Sequence, residues 1–364
     1  MQENGEKGAQ KCEVAIVGGG PIGIEMAISL ERAGIDYILF EAKQIGQAIS
    51  RWPPHTHFYS TPEHVALAGV PVHNLDQQPV TGEQYLAYLR TLVEYFDLNL
   101  HNYEAVEAVE KVAGGFRLET ETLARKQVYH CQKVILATGG MASPRLLGIP
   151  GEELPNVYHH FPGPHPFFKT RVLVVGGKNS ALESALRCWR AGAEVTISYR
   201  RPAFDYEVVK PHLADDISTR LEKGEIQFLP GTLPVTITPE HVVLARTGAD
   251  LQPQEETFCH ESDFVLLTTG FVADMELFRR AGVSLQGRQQ IPLHNPETME
   301  TDVPGLYVAG TAAGGTQIKF ETFISTSHDH VARIMKSLTG RAPRQLGTVE
   351  ARNNAVTWEE VKAN

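Results

Sequence analysis

Gly18-Gly19-Gly20-Pro21-Ile22-Gly23 follows the apolar run Glu13–Val17 and opens a helix-patterned stretch, Ile22–Ala33. A second apolar run, Tyr37–Glu41, comes next, so strand, loop, helix and strand form one βαβ unit. The glycines fit G-x-G-x-x-G, and each meets a different demand. Gly18 allows the tight turn, Gly20 lets the backbone approach a pyrophosphate, and Gly23 lets helix and strand pack closely. The unpaired N–H groups of the helix start, with their dipole, favour a phosphate there. Glu41 closes the second strand, where an acid accepts hydrogen bonds from ribose hydroxyls. This context predicts a dinucleotide site.

The pattern restarts at Arg171. Val172–Val175 reads as strand, Ser180–Ala191 as helix and Glu194–Tyr199 as strand. The loop between them is Gly176-Gly177-Lys178-Asn179-Ser180-Ala181. Lys178 takes the approach position, where its backbone or its ammonium can meet a phosphate. Ala181 takes the packing position. The following strand ends in Tyr199-Arg200-Arg201, with no acid. Two guanidiniums suit a 2′-phosphate and a carboxylate would repel it, so NADPH is expected over NADH. Three further runs end in glycine: Lys133–Thr138 before Gly139, Phe264–Thr269 before Gly270, and Gly305–Ala309 before Gly310. The fold class is therefore α/β, with two Rossmann-like dinucleotide-binding domains.

Bulk properties agree. The 364 residues suit two or three domains, and a net charge of −10 from 33 basic and 43 acidic side chains disfavours nucleic-acid binding. No apolar run is long enough for a membrane span, and no signal peptide precedes the first strand. The four cysteines, Cys12, Cys131, Cys188 and Cys259, form no Cys-x-x-Cys pair and read as reduced thiols of a cytoplasmic protein. The stretch Tyr158–Lys169, rich in His, Pro and Phe, reads as a linker. Residues beyond Gly340 read as a polar tail with a weak helical pattern at Thr357–Lys362.

On these residues the chain resembles the low-molecular-weight thioredoxin-reductase-like flavoproteins, over about Val14 to Ser337. Within them it resembles the bacillithiol disulfide reductase (YpdA) type. The stretches that carry this are Trp52-Pro53-Pro54-His55-Thr56, Phe58-Tyr59-Ser60-Thr61-Pro62, the Gly176–Ala181 loop and Asn295-Pro296-Glu297-Thr298-Met299-Glu300-Thr301. The resemblance implies an NADPH-binding domain, 158–288, inserted in an FAD-binding domain made of 10–157 and 289–340, with a tail at 341–364. It implies FAD and NADPH as cofactors, a homodimer, and a small-molecule electron acceptor such as a low-molecular-weight disulfide, with a redox protein as another partner. The cofactor positions are Gly18, Gly20, Pro21, Ile22, Gly23, Glu41, Gln47, Val106, Ala137, Thr138, Gly139, Gly310 and Thr311 toward FAD. Toward NADPH they are Gly176, Lys178, Asn179, Ser180, Arg200, Arg201, Thr269 and Gly270.

Three departures bear on chemistry. The dithiol that thioredoxin reductases carry before the second glycine loop is absent from His159–Phe167. Ile22 stands where the YpdA type has a cysteine. Thr311 stands where an acid usually meets the flavin's ribityl chain. Without a thiol relay, electrons must leave the reduced flavin directly, to a small acceptor, to O₂ or to a redox protein. His57, His165, His328 and His330 are candidate proton carriers, and Trp52, Phe58 and Tyr59 are candidate ring covers. Two alternatives stay open: a flavin monooxygenase, for which Phe161-Pro162-Gly163-Pro164-His165 is a near match to the usual signature, and a redox sensor without turnover.

Overall fold

The computed structural model describes residues 10–75, 77–317 and 321–347. It forms two compact units. Of the described residues, the first takes in 10–51, 55–143 and those after Gly270; the second comprises 52–54 and 144–270.

In the first unit β1 (Gln10–Val17), β2 (Tyr37–Glu41), β3 (Leu100–Asn102), β4 (Ala105–Val112), β5 (Gly115–Glu121) and β6 (Lys126–Leu136) lie in the order β3-β2-β1-β6-β5-β4. A return strand, Leu306–Val308, also pairs with β6. β1 is parallel to both β2 and β6, so the strand order reverses beside it. Ligands of open α/β sheets bind at the carboxyl ends of strands at such a point. The run Val14–Val17 is buried because helix α1 (Pro21–Ala33) crosses over it. Pro21 at the first helical position presets the turn, and Gly34, at φ +67°, ends the helix by donating its N–H to the Leu30 and Glu31 carbonyls.

The second unit repeats this plan. β7 (Val157–Tyr158), β8 (Arg171–Val175), β9 (Glu194–Tyr199), β10 (Gln227–Pro230) and a strand at Phe264–Leu267 lie in the order β10-β9-β8-(264–267)-β7. Helix Asn179–Arg190 follows the second glycine loop. A separate three-stranded antiparallel sheet covers Thr232–Ile237, His241–Thr247 and Pro253–Glu261. The registers make the duplication explicit. Val17 faces Phe40 and Leu136, whereas Val175 faces Ser198 and Leu267. Glu41 therefore corresponds to Tyr199, and Ala137-Thr138-Gly139 to Thr268-Thr269-Gly270.

Two readings of the sequence need correction. Tyr158–Lys169 is not a linker. Tyr158 ends a strand paired with Phe264–Leu267, and Phe161 and Phe167 are buried with ring centroids 5.8 Å apart. The prolines disrupt regular backbone there, but the aromatic rings still pack. The chain also changes unit after Ser143 and after Gly270, earlier than the limits at 158 and 288. Pro150 accepts from Ile237 N–H within the second unit, and the Ala273 N–H bonds to Thr316 Oγ1 within the first. The pattern at Thr357–Lys362 lies outside the described residues.

Candidate functional site

At the carboxyl end of β1 the loop is fixed by contacts that glycine alone permits. Gly18 has φ +115°, and a Cβ there would lie 2.4 Å from the Ala137 carbonyl oxygen. A Cβ on Gly23 would lie 1.9 Å from the Gly18 oxygen. Gly20 differs: its φ is −78°, and a Cβ there would meet nothing within 4 Å. Gly20 is also the N-cap of α1, whose first turn has no side-chain cap and no acid. Open space thus faces an uncapped helix start, the arrangement an anion needs.

Neighbouring residues converge on this loop. The Gly19 N–H donates to Glu41 Oε2 at 2.7 Å and the Lys43 N–H donates to Oε1 at 2.9 Å. Burial raises the Glu41 carboxyl above its ordinary range, and these two N–H groups draw it back. The Gly46 N–H donates to the Gly19 carbonyl at 2.9 Å, placing Gln47 beside the loop. The Glu104 N–H donates to the Glu41 carbonyl at 3.0 Å, and Val106 lies two residues further on. Thr311 Oγ1 accepts from the Gly140 N–H at 2.9 Å, joining the return strand's loop to Ala137–Gly140. A Cβ on Gly310 would lie 3.3 Å from Ile22 Cβ. Thr138 Oγ1 is buried and has no partner among the described residues. An orphaned hydroxyl beside an open helix start fits a missing polar ligand, and the donor set fits FAD.

The second loop solves the same steric problem with other residues. Gly176 has φ +146°, and a Cβ there would lie 2.8 Å from the Thr268 carbonyl oxygen. A Cβ on Gly177 would lie 2.5 Å from the Tyr199 ring. Lys178 caps the helix start in ordinary extended backbone, φ −117° and ψ −175°, so glycine is not required there. Ser180 lies in the first turn. Asn179 ties the helix start to a neighbouring loop, since its Nδ2 donates to the Val208 carbonyl and its Oδ1 accepts from the Lys210 N–H. Thr269 Oγ1 donates to the Arg145 carbonyl, and Gly270 takes φ +98°. Arg200 and Arg201 are exposed, and neither meets a carboxylate among the described residues. By contrast Arg171, Arg190, Arg220 and Arg246 of the same unit are all ion-paired. Two unmatched guanidiniums beside a phosphate loop fit NADPH.

The candidate proton carriers sit in different surroundings. His57 is an exposed residue of the first unit, and His165 an exposed one in a 3₁₀ turn of the second. His328 is locked to the fully buried Glu25, Nδ1 to Oε2 at 2.6 Å. Burial, helped by the charges of Arg333 and His294, pushes His330 down to about 4, so it is neutral near pH 7. Phe58 packs on Tyr85 in the core with centroids 4.7 Å apart, Tyr59 is 76% exposed, and Trp52 is half-buried in the second unit. Among the described residues no group of three or more His, Cys, Asp or Glu gathers as a metal site. Sequence reasoning missed Gly46, Gly140 and Thr268. Of these, only Thr268 carried a local signal, the Thr-Thr-Gly step that ends its strand.

Comparison with known proteins gives the same picture. The chain matches a family model described as pyridine nucleotide-disulphide oxidoreductase over residues 15–310. It is 33% identical over 327 residues to the bacilliredoxin reductase Bdr of Bacillus subtilis (strain 168), covering 90% of this chain and 97% of that protein. The solved structure of the bacillithiol disulfide reductase Bdr (YpdA) from Bacillus cereus matches with a TM-score of 0.84 at 31% identity, covering 91% of this chain and 99% of that one. A ferredoxin–NADP reductase 2 of Bacillus cytotoxicus is 28% identical over 305 residues, covering 82% and 84% respectively.

Proposed function

Because this chain belongs to the pyridine nucleotide-disulphide oxidoreductase family and is an NAD(P)H-dependent flavoprotein oxidoreductase using FAD and NADPH, we propose that its acceptor is a low-molecular-weight disulfide. In this reading electrons reach the disulfide without a protein thiol relay. The acceptor class is supported by relatives named for bacillithiol disulfide reduction that align over nearly their whole length. The absence of a relay is supported by Ile22, which is 6% exposed against Gly310. Bound FAD supplies the capacity to take two electrons from a nicotinamide and release them to an acceptor.

The protein's part is to hold and orient. The start of α1 and the Gly18–Gly23 loop bind one diphosphate, and Glu41 takes the ribose. Gln47, Val106, Ala137–Gly139, Gly310 and Thr311 line the rest of the FAD site. Gly176, Lys178, Asn179 and Ser180 present backbone to the NADPH diphosphate, Arg200 and Arg201 hold the 2′-phosphate, and Thr269-Gly270 closes that site. The observation that carries the assignment is the contrast at matched strand ends: Glu41 in one unit, and in the other Tyr199 followed by two arginines that meet no carboxylate among the described residues.

The test is anaerobic. NADPH should bleach the flavin faster than NADH, and the reduced protein should reoxidise on adding bacillithiol disulfide. Flavin left oxidised by both nicotinamides, or reduced flavin indifferent to every disulfide, would overturn the reading. A second reading, single-electron transfer to a redox protein, is favoured by Ile22 and by the likeness to ferredoxin–NADP reductase. Reoxidation by ferredoxin and by no disulfide would select it. Among the described residues no helix is long and apolar enough to cross a membrane. We place the enzyme in the cytoplasm as a homodimer, which fractionation and sedimentation would check.

A further inference from the structure

Toward the amino end of β1, away from the Gly18–Gly23 loop, Cys12 is the in-register partner of Cys131, which lies midway along the adjacent parallel strand β6. Neighbouring strands lie about 4.8 Å apart, inside the Cα separation of roughly 4.4–6.8 Å that a disulfide spans. Both thiols are free, and their residues are only 7% and 4% exposed. A depression of about 410 Å³ opens at this end of the sheet, lined by Lys11, Cys12, His130, Cys131 and the hairpin at 112–115. That volume admits a small organic disulfide.

We propose that Cys12 and Cys131 are a dithiol that low-molecular-weight disulfides entering this depression oxidise to an intramolecular disulfide. Cys12 is the more exposed of the two, and the neighbouring Cys12 thiol, with burial, raises the Cys131 pKa, so Cys12 is the attacking sulfur. The Cys12 thiolate displaces one thiolate from R–S–S–R and becomes a mixed disulfide. Cys131 then attacks the Cys12 sulfur, expels the second thiolate and gives up its proton to it. Two protein thiols are oxidised, one R–S–S–R is reduced, and two R–SH leave. The step bypasses the flavin. Six residues of strand separate Cys12 from Gly18, roughly 20 Å at the strand rise. The two strands it would join are the ones that end in the Gly18–Gly23 and Ala137–Gly139 loops.

The test uses the flavin-loaded chain with the exposed Cys259 replaced (Cys259→Ser), and bis(2-hydroxyethyl) disulfide as oxidant without NADPH. Its outcome is therefore separate from that of the flavin reading. Two thiols per chain should be lost to alkylation, two equivalents of mercaptoethanol released, and one Cys12–Cys131 cross-linked peptide found by mass spectrometry. Cys131→Ser should stop at a stable mercaptoethanol adduct on Cys12, and Cys12→Ser should leave Cys131 unmodified. If either variant loses its flavin, the cross-linked peptide in the Cys259→Ser chain decides alone. Both thiols staying alkylatable in flavin-loaded protein, or an adduct on Cys12 that Cys131 never resolves, would overturn the proposal.

Discussion

Replacing Gly20 by valine should empty the flavin site while leaving the fold standing. The glycine has φ −78°, which valine accepts, and a Cβ would meet no protein atom within 4 Å. The protein's own cost is the weaker helix N-cap, about 1 kcal/mol, or roughly 2–4 °C in Tm for a domain of about 200 residues. The cofactor's cost is larger, because the new methyls occupy the space through which a diphosphate approaches the helix start. At FAD a hundredfold above its Kd, losing that linkage removes about 2.7 kcal/mol more. Gly23→Ala makes the control, since its Cβ would lie 1.9 Å from the Gly18 oxygen. That variant should lose several kcal/mol even without FAD. Thermal melts of apo and FAD-loaded protein, with the ratio of absorbance at about 450 nm to that at 280 nm, read both effects. Yellow Gly20→Val protein at full flavin stoichiometry would refute the placement of the diphosphate. An apo variant that cannot fold would refute the claim that the space is open.

Arg200→Ala combined with Arg201→Ala should raise the KM for NADPH tenfold or more, at about 1.5 kcal/mol per charge-assisted bond, with NADH and bound FAD unchanged; an equal rise for both nicotinamides would show that the arginines do not read the 2′-phosphate. Thr311→Val strips the Gly140 N–H of its 2.9 Å acceptor and should weaken FAD by about 1–2 kcal/mol, measured by flavin fluorescence on dilution; unchanged retention would remove Thr311 from the site. The two histidines of helix Ile324–Thr339 should shape the pH–stability curve from opposite sides. Burial opposes charging of His328, but the bond to Glu25 and its charge prevail and hold its pKa above the usual 6.5. Its contribution is complete below 6.5 and is lost as pH rises through the raised value, so His328→Gln should flatten the alkaline decline of Tm. His330, pushed down to about 4 chiefly by burial, contributes above 6.5 and loses that contribution as pH falls toward 4, so His330→Gln should flatten the acid side. Melts between pH 4 and 9 check both, and an unchanged slope in either variant would refute its assignment.

How far the sequence could be read depended on whether a residue's role was local. Gly18 and Gly23 are steric requirements of a turn and could be seen from spacing alone. Tyr37–Glu41 and Glu194–Tyr199 are buried parallel strands whose apolar runs set their limits, and the structure keeps both ranges. The run read as Lys133–Thr138 begins earlier, at Lys126, because its first half pairs antiparallel with β5 and alternates polar with apolar side chains. What stayed hidden lies across long separations. Thr311 meets Gly140 over 171 residues, and His328 meets Glu25 over 303. Glu25 sits mid-helix in an apolar pattern, with nothing nearby to announce its partners. In the structure its Oε1 accepts from the N–H groups of Ala68 and Gly347.

Set in register, the two units show which features belong to the fold and which to the ligand. Both place a glycine of positive φ against the carbonyl of the central neighbouring strand, Gly18 on Ala137 and Gly176 on Thr268. Both begin the following helix without a side-chain cap. Those shared features make an anion site and say nothing of which nucleotide fills it. The difference sits where the second strand ends. Gly19 packs on Glu41, whose carboxylate bonds the Gly19 N–H, whereas Gly177 packs on the ring of Tyr199. A tyrosine there removes the acceptor for a free 2′-hydroxyl, and the next two residues supply positive charge. Apart from both strand ends stands Ile22, one residue inside the first helix. Placing a cysteine at that position, Ile22→Cys, therefore tests the last link. The side chain packs on Gly310 and is smaller than isoleucine, so the fold should tolerate it. If a thiol at this point is what separates relayed from direct reduction, disulfide turnover with NADPH should rise and become sensitive to alkylation, while turnover with small non-thiol acceptors stays the same. Turnover that remains unchanged and insensitive to alkylation would show that the thiol position does not govern how electrons leave.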